Sequence, residues 1–197
     1  MELKIALSIL GIIIGETSLL LYIKSIFSGT SKPHTYSWLI WTITQSTAVF
    51  GLWYGGGGPG AWSLTIGTIF VFGIFLLSLY RGTKDVTKWD TLTLIAALCA
   101  VLVWWQLHNP LLAVLMVSLI DFIGYLPQIR KAFSDPWSEN ILSWIGFTAS
   151  NTCALLALTA YNALTMTYLL TLSLANIILI AVCLTRRTLI VKRKEQE

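Results

Sequence analysis

Two carboxylates stand where carboxylates are costly. Asp121 and Glu16 lie well inside long apolar stretches, whereas the other seven of the nine acids fall in loops, in tails or at the edge of a stretch. An ionised carboxylate at bilayer depth must face protein or water, or else carry a proton. Holding and releasing a proton is what proton coupling requires, so both are candidate proton-coupling residues. The plainer role for each is a hydrogen bond to a neighbouring helix.

Asp121 does not stand alone. Asp121, Gly124, Tyr125 and Gln128 follow the spacing i, i+3, i+4, i+7, which puts them on one face of a helix. A carboxylate, a phenol and an amide, with a glycine opening space among them, suit a polar cavity better than lipid. Pro127, on the same turn, removes a backbone hydrogen bond and frees a carbonyl one turn earlier. It is a candidate hinge, or else a fixed kink.

Three further amides, Gln45, Asn151 and Asn176, sit in apolar surroundings and need several hydrogen-bond partners each. With Tyr125, Gln128, Trp41 and Phe147 they form the candidate substrate-binding set. Small and hydroxyl residues near them (Ser37, Thr44 and Ala48; Ser143, Gly146, Ser150 and Ala154) have helix packing as their expected role.

The elements that must position these residues follow from hydropathy. The chain has 197 residues, 56% of them hydrophobic and 11% charged, with a mean hydropathy of +0.75. That composition excludes an ordinary soluble domain. Seven apolar segments, 5–27, 36–54, 62–80, 90–107, 110–129, 142–159 and 163–185, are about long enough to cross ~30 Å of hydrocarbon as helices. A β-barrel would show alternating polarity, and the segments show none. The first segment has an overlong core and no small-residue cleavage pattern, and so reads as a span and not a cleavable signal.

The basic residues are divided unevenly between the two ends of these segments. The N-terminus and the loops after segments 2, 4 and 6 carry Lys4, and the other side carries the remaining twelve Lys and Arg. The expected orientation is N-terminus outside and C-terminus cytoplasmic. The net charge of +4 then reflects topology and lipid headgroups, with no nucleic-acid partner expected. Short loops on a compact chain point to a bacterial inner membrane.

Cys99, Cys153 and Cys183 lie within segments and read as buried packing residues. His34 and His108 fall at opposite ends of the segments, too far apart to share an ion. No cofactor or metal is expected, and no nucleophile–base set suggests an enzyme.

An internal repeat organises the segments. Residues 23–48 align without gaps on 129–154 at an offset of 106, matching Ser37-Trp38 with Ser143-Trp144, Trp41 with Phe147, Thr44 with Ser150 and Gln45 with Asn151. Segments 1–3 then correspond to 5–7, with segment 4 as a spacer. The expected fold is an all-α membrane protein of seven transmembrane helices arranged 3+1+3 as parallel repeats. Its divisions would be 1–81, a linker 82–109, a second repeat 110–187 and a basic tail 188–197, and such repeats place a site at their interface.

The run Tyr125-Leu126-Pro127-Gln128-Ile129, followed by a basic loop and a Ser-Trp-led helix, resembles the PQ-loop motif, and the layout resembles the seven-helix PQ-loop/SWEET (MtN3) superfamily. The resemblance implies a transporter of a small polar metabolite working by alternating access. Sugar uniport and proton-coupled amino-acid export are both found in that superfamily. It also implies a pocket asparagine in the last helix of each bundle, which Asn176 matches in the second repeat while Val71 stands at the position in the first. A non-transporting ligand-binding receptor on the same scaffold is the alternative. The first repeat has Leu21-Tyr22 where Pro-Gln would be, so the halves are expected to be unequal, with the second the moving, proton-sensitive one. The loop GGGGPGAW, 55–62, reads as a flexible connector or, less simply, a gate. Arg130, Lys131, Asp135 and Glu139 read as an ordinary charged loop.

Overall fold

The computed structural model describes residues 1–29, 33–82, 88–107, 109–134, 136–139 and 141–189, with the backbone alone at several positions including 126–128, 130 and 131. The described residues form seven α-helices: α1 (Glu2–Phe27), α2 (Thr35–Tyr54), α3 (Gly60–Arg81), α4 (Lys88–Leu107), α5 (Pro110–Ser134), α6 (Ile141–Ala157) and α7 (Ala163–Leu189). α1, α3 and α7 are long and apolar enough to cross a membrane, and α4, α5 and α6 contain shorter apolar stretches. The protein is all-helical and has the makings of a helical membrane protein.

Local chemistry accounts for several helix ends. His34 caps α2, its Nδ1 accepting the Ser37 N–H. Asn109 accepts the Leu112 N–H with Pro110 at the first helical position of α5. Asn162 Oδ1 takes the N–H groups of Leu164 and Thr165 at the start of α7. One expected boundary moves. α5 continues through position 127 to Ser134, so Arg130 and Lys131 belong to its last turns and not to a loop. Asp135 lies outside the described residues.

α3 packs between α1 and α2, whose backbones do not approach each other, and α7 packs in the same way between α5 and α6. α1 lies against α6 and α2 against α5, while α4 rests on α5 and α2. The α1–α6 contact is among the most extensive between the described helices, and the glycines explain it. A Cβ at Gly15 would stand 2.7 Å from Ser150 Oγ, and one at Gly146 2.5 Å from Ser18 Oγ. Small residues let these backbones approach closely.

Apolar packing differs between the two ends. At the glycine-loop end a single core joins all of α2 to α7: Leu52, Leu64, Ala100, Val114, Ala154 and Tyr168 belong to it. At the basic end the cores are separate. Ile26, Trp38, Val71 and Ile74 form one on α1–α3, and Ala132, Leu179 and Cys183 form another on α5 and α7 with Trp144 of α6 packed against it. The helices therefore share a core at the glycine-loop end, α2, α4 and α5 meet again through Ile40, Ala97 and Ile120, and the cores at the basic end are separate.

Two expectations need correction. Cys183 is buried and Cys153 half-buried, but Cys99 is exposed, because it falls on the face of α4 turned away from α5 and α2. The glycine loop is a packed closure and not a loose connector. Thr159 N donates to Gly57 O at 3.0 Å, Asn162 Nδ2 to Gly55 O at 2.8 Å, Ser8 Oγ to Pro59 O at 2.5 Å and Lys4 Nζ to Leu158 O at 2.6 Å. Gly56 and Gly58 hold φ of +78° and +58°, a conformation that glycine adopts without steric cost.

At the basic end α7 reaches the 3-10 turn Pro136–Ser138 through arginines. Arg187 donates to Pro136 O at 3.1 Å and to Glu139 O at 2.7 Å and lies 4.5 Å from the Trp137 ring centroid. Arg186 donates to Phe133 O at 2.7 Å. Arg187→Ala should lower stability by about 1–2 kcal/mol and speed proteolytic cleavage beside Trp137. Thermal unfolding and limited proteolysis in detergent measure both.

Candidate functional site

Between the parted ends of the helices lies a cavity of about 810 Å³. Its lining runs from Gly15, Ser63 and Ser150 to Ser25, His34 and Glu139 at the basic end. No described lining residue comes from the glycine loop or from 158–162, so the cavity faces the basic end.

The candidate residues meet here. Glu16 of α1, Trp41 and Gln45 of α2, Asp121 and Tyr125 of α5, Phe147 and Asn151 of α6, and Asn176 of α7 all line this cavity. The side chains of Pro127 and Gln128 lie outside the described residues, and α5 is helical at both positions.

Residues paired by the sequence offset of 106 enter from opposite sides. Ser37 and Ser143, Trp38 and Trp144, Trp41 and Phe147, Gln45 and Asn151 are all in the lining. The aromatic members build one trio in each half. Trp38 stacks on Tyr22 with centroids 5.2 Å apart and meets Trp41 edge-on at 5.2 Å. Trp144 meets Tyr125 at 5.9 Å and Phe147 at 5.8 Å, both edge to face. Such offset and edge arrangements are the favoured ones for aromatic pairs, and they give the cavity two stiff walls.

The polar floor is where the offset-paired residues diverge in chemistry. Asp121 is 2% exposed and Tyr168 fully buried, and the Tyr168 hydroxyl donates to Asp121 Oδ2. Thr44 lies beside the same carboxylate but bonds the carbonyls of Ile40 and Trp41. At the offset of 106 Asp121 corresponds to Gly15, and Thr44 to Ser150. At an offset of 105 Tyr168 corresponds to Ser63. The equivalent junction in the first half is therefore Ser63, Gly15 and Ser150. There Ser150 donates to Gly11 O at 2.8 Å and lies 3.0 Å from Ser63 Oγ. One half closes this crossing with two hydroxyls and a glycine, and the other places a carboxylate and a phenol at the same crossing.

Tyr125 donates to Asn176 Oδ1 at 2.9 Å, which fixes that buried amide, and Thr68 donates to Gln45 Oε1 at 3.4 Å. Asp121 Oδ1 and Glu16 Oε2 are buried and have no hydrogen-bond partner. A buried acceptor left unmade costs ~1–3 kcal/mol, which marks both oxygens as places for a donor. Among the described residues no group of His, Cys, Asp and Glu could hold a metal ion.

Two residues escaped sequence reasoning. Tyr168 shows no marking of its own, and only its offset match to Ser63 could have singled it out. Glu139, taken for a loop charge, is buried at the cavity mouth and accepts from Trp144 Nε1 at 3.2 Å. The Ser-Trp entry of α6 carries that indole, so an acid five residues before Trp144 was the available signal.

No family model matches the sequence, and no curated protein or solved structure matches it.

Proposed function

We propose that this chain is a seven-helix membrane carrier of the PQ-loop/SWEET type, moving a small polar metabolite by alternating access. The helices form two three-helix units, α1–α3 and α5–α7, with α4 as the connector, the N-terminus outside and the basic end in the cytoplasm. The conformation described above is then the inward-facing one, sealed on the outside by the glycine loop.

The observation that carries this reading is the convergence of residues paired by the 106 offset on one cavity whose two walls share a core at the glycine-loop end, touch through α2, α4 and α5 between the ends, and carry separate cores at the basic end. Two units hinged against each other at either end in turn are what alternating access needs. The cavity volume falls within the ~300–1,000 Å³ of small-molecule sites. Asp121, at the floor and unmatched in the first half, is the proton-carrying group on this reading, with Glu16 the second acid of the site.

Reconstitution into proteoliposomes tests the proposal. Counterflow of at least one compound from a panel of sugars, amino acids, amines and nucleosides is expected, and an imposed pH gradient should drive its net uptake. Saturable binding with no counterflow for any compound would instead make the protein a receptor.

A further inference from the structure

Among the described residues that line the cavity the charge is one-sided. Glu16, Asp121 and Glu139 line it, and among the described lining residues there is no lysine or arginine. His34, at the mouth, is engaged as the cap of α2 and sits 2.9 Å from Ser37 Oγ. Glu139 is bonded to Trp144, but Asp121 and Glu16 each keep one buried oxygen without a partner. Asp121 is held in place by Tyr168 and cannot turn that oxygen to water without breaking a buried bond.

A neutral polyol could donate to these oxygens but would do nothing to compensate the ionised form of either acid. An anion or a zwitterion would find no described cationic side chain for its carboxylate. A protonated amine supplies both the missing donor and the missing charge, a quaternary ammonium supplies the charge alone, and charge-assisted bonds to carboxylates are about twice as strong as neutral ones. The two aromatic trios suit the rest of such a molecule, since cations bind aromatic faces and an apolar body packs on them.

We propose that the substrate is a small organic cation, an amine or alkylated ammonium with an apolar body and no anionic group. Its nitrogen is held by Glu16 and Asp121 between the Trp38–Trp41 and Trp144–Phe147 walls. Glu16, the less buried acid, makes the direct contact, and Asp121 adds its charge at the floor. This assignment rests on the carrier reading for its meaning as a substrate, but the binding site can be tested without transport.

The test titrates the purified full-length chain in detergent with choline, tyramine, glucose and lactate, following tryptophan fluorescence. Three of the nine tryptophans, Trp38, Trp41 and Trp144, stand in the lining and respond to its occupancy. Choline and tyramine should bind saturably and compete with each other, and glucose and lactate should not bind. Glu16→Gln should weaken both amines roughly tenfold or more, about 1.4 kcal/mol, while Glu2→Gln, at the far end of α1, should not. Trp41→Leu, which spares both carboxylates, should weaken them as well.

Binding of glucose or lactate in preference to the amines, no binding of either amine, or amine binding indifferent to Glu16→Gln and Trp41→Leu would each overturn the assignment. Counterflow of labelled choline in proteoliposomes separates the two readings. Saturable amine binding without counterflow removes the carrier and keeps the cation site. Counterflow of glucose without amine binding does the reverse.

Discussion

Asp121→Asn is expected to leave a folded protein that still exchanges substrate at equal pH, with lower affinity, but that no longer responds to a pH gradient. Asparagine has nearly the shape of aspartate, and its carbonyl can still accept from Tyr168, so the α5–α7 contact survives. What the substitution removes is the exchangeable proton. One proton moved per cycle across a gradient of one pH unit is worth ~1.4 kcal/mol, a tenfold accumulation. In the variant the accumulation ratio should fall to about one, so roughly the whole tenfold effect is lost. Labelled uptake at steady state, with and without the gradient, measures it directly. A variant that still accumulates substrate tenfold would take Asp121 out of the coupling role. The prediction is specific to the second half, because Gly15 holds the equivalent position in the first and has nothing to titrate.

The second large effect concerns the seal. Gly60→Ala should destabilise the protein by roughly 3 kcal/mol, at the upper end of what one added methyl costs in a close-packed site. A Cβ at Gly60 would stand 2.6 Å from Ala154 O and 2.8 Å from Leu158 N. Both are backbone atoms of the α6 end, so no side chain can swing away to make room. α3 and α6 would have to separate just where the common core joins the two sides. Gly73→Ala is the internal control: it lies on the same helix with nothing within 4 Å of its Cβ position. There the lost backbone entropy of the unfolded chain should raise stability by roughly 0.5–1 kcal/mol. Thermal unfolding of the two variants in one detergent gives the comparison, and equal melting temperatures would contradict the close packing of the seal.

The candidate site was more legible than its geometry. Hydropathy and the punctuation by glycine, proline and asparagine located the seven helices to within a few residues at most ends, because the 20-odd residues of an apolar span leave little freedom. The largest miss, the extra turns of α5, arose because charged Arg130 and Lys131 end an apolar run without ending a helix. Polar residues at odds with their apolar neighbours were sound markers for the cavity, since a buried carboxylate or amide must face a partner or water. Glu16, Gln45, Asp121, Asn151 and Asn176 all meet that condition. Tyr168 did not stand out, because a tyrosine among leucines is ordinary until its hydroxyl finds an acid on another helix.

Helicity and the run of the described helices were readable along the chain, because both depend on local composition in one dimension. Only the tertiary structure decided that the glycine loop closes one end, that Glu139 turns inward, and that Asp121 meets Tyr168 where the other half has Gly15 and Ser63. Those outcomes depend on which helices pass each other and how closely. That distance is set by the sum of many side-chain contacts on both partners, which no single segment contains.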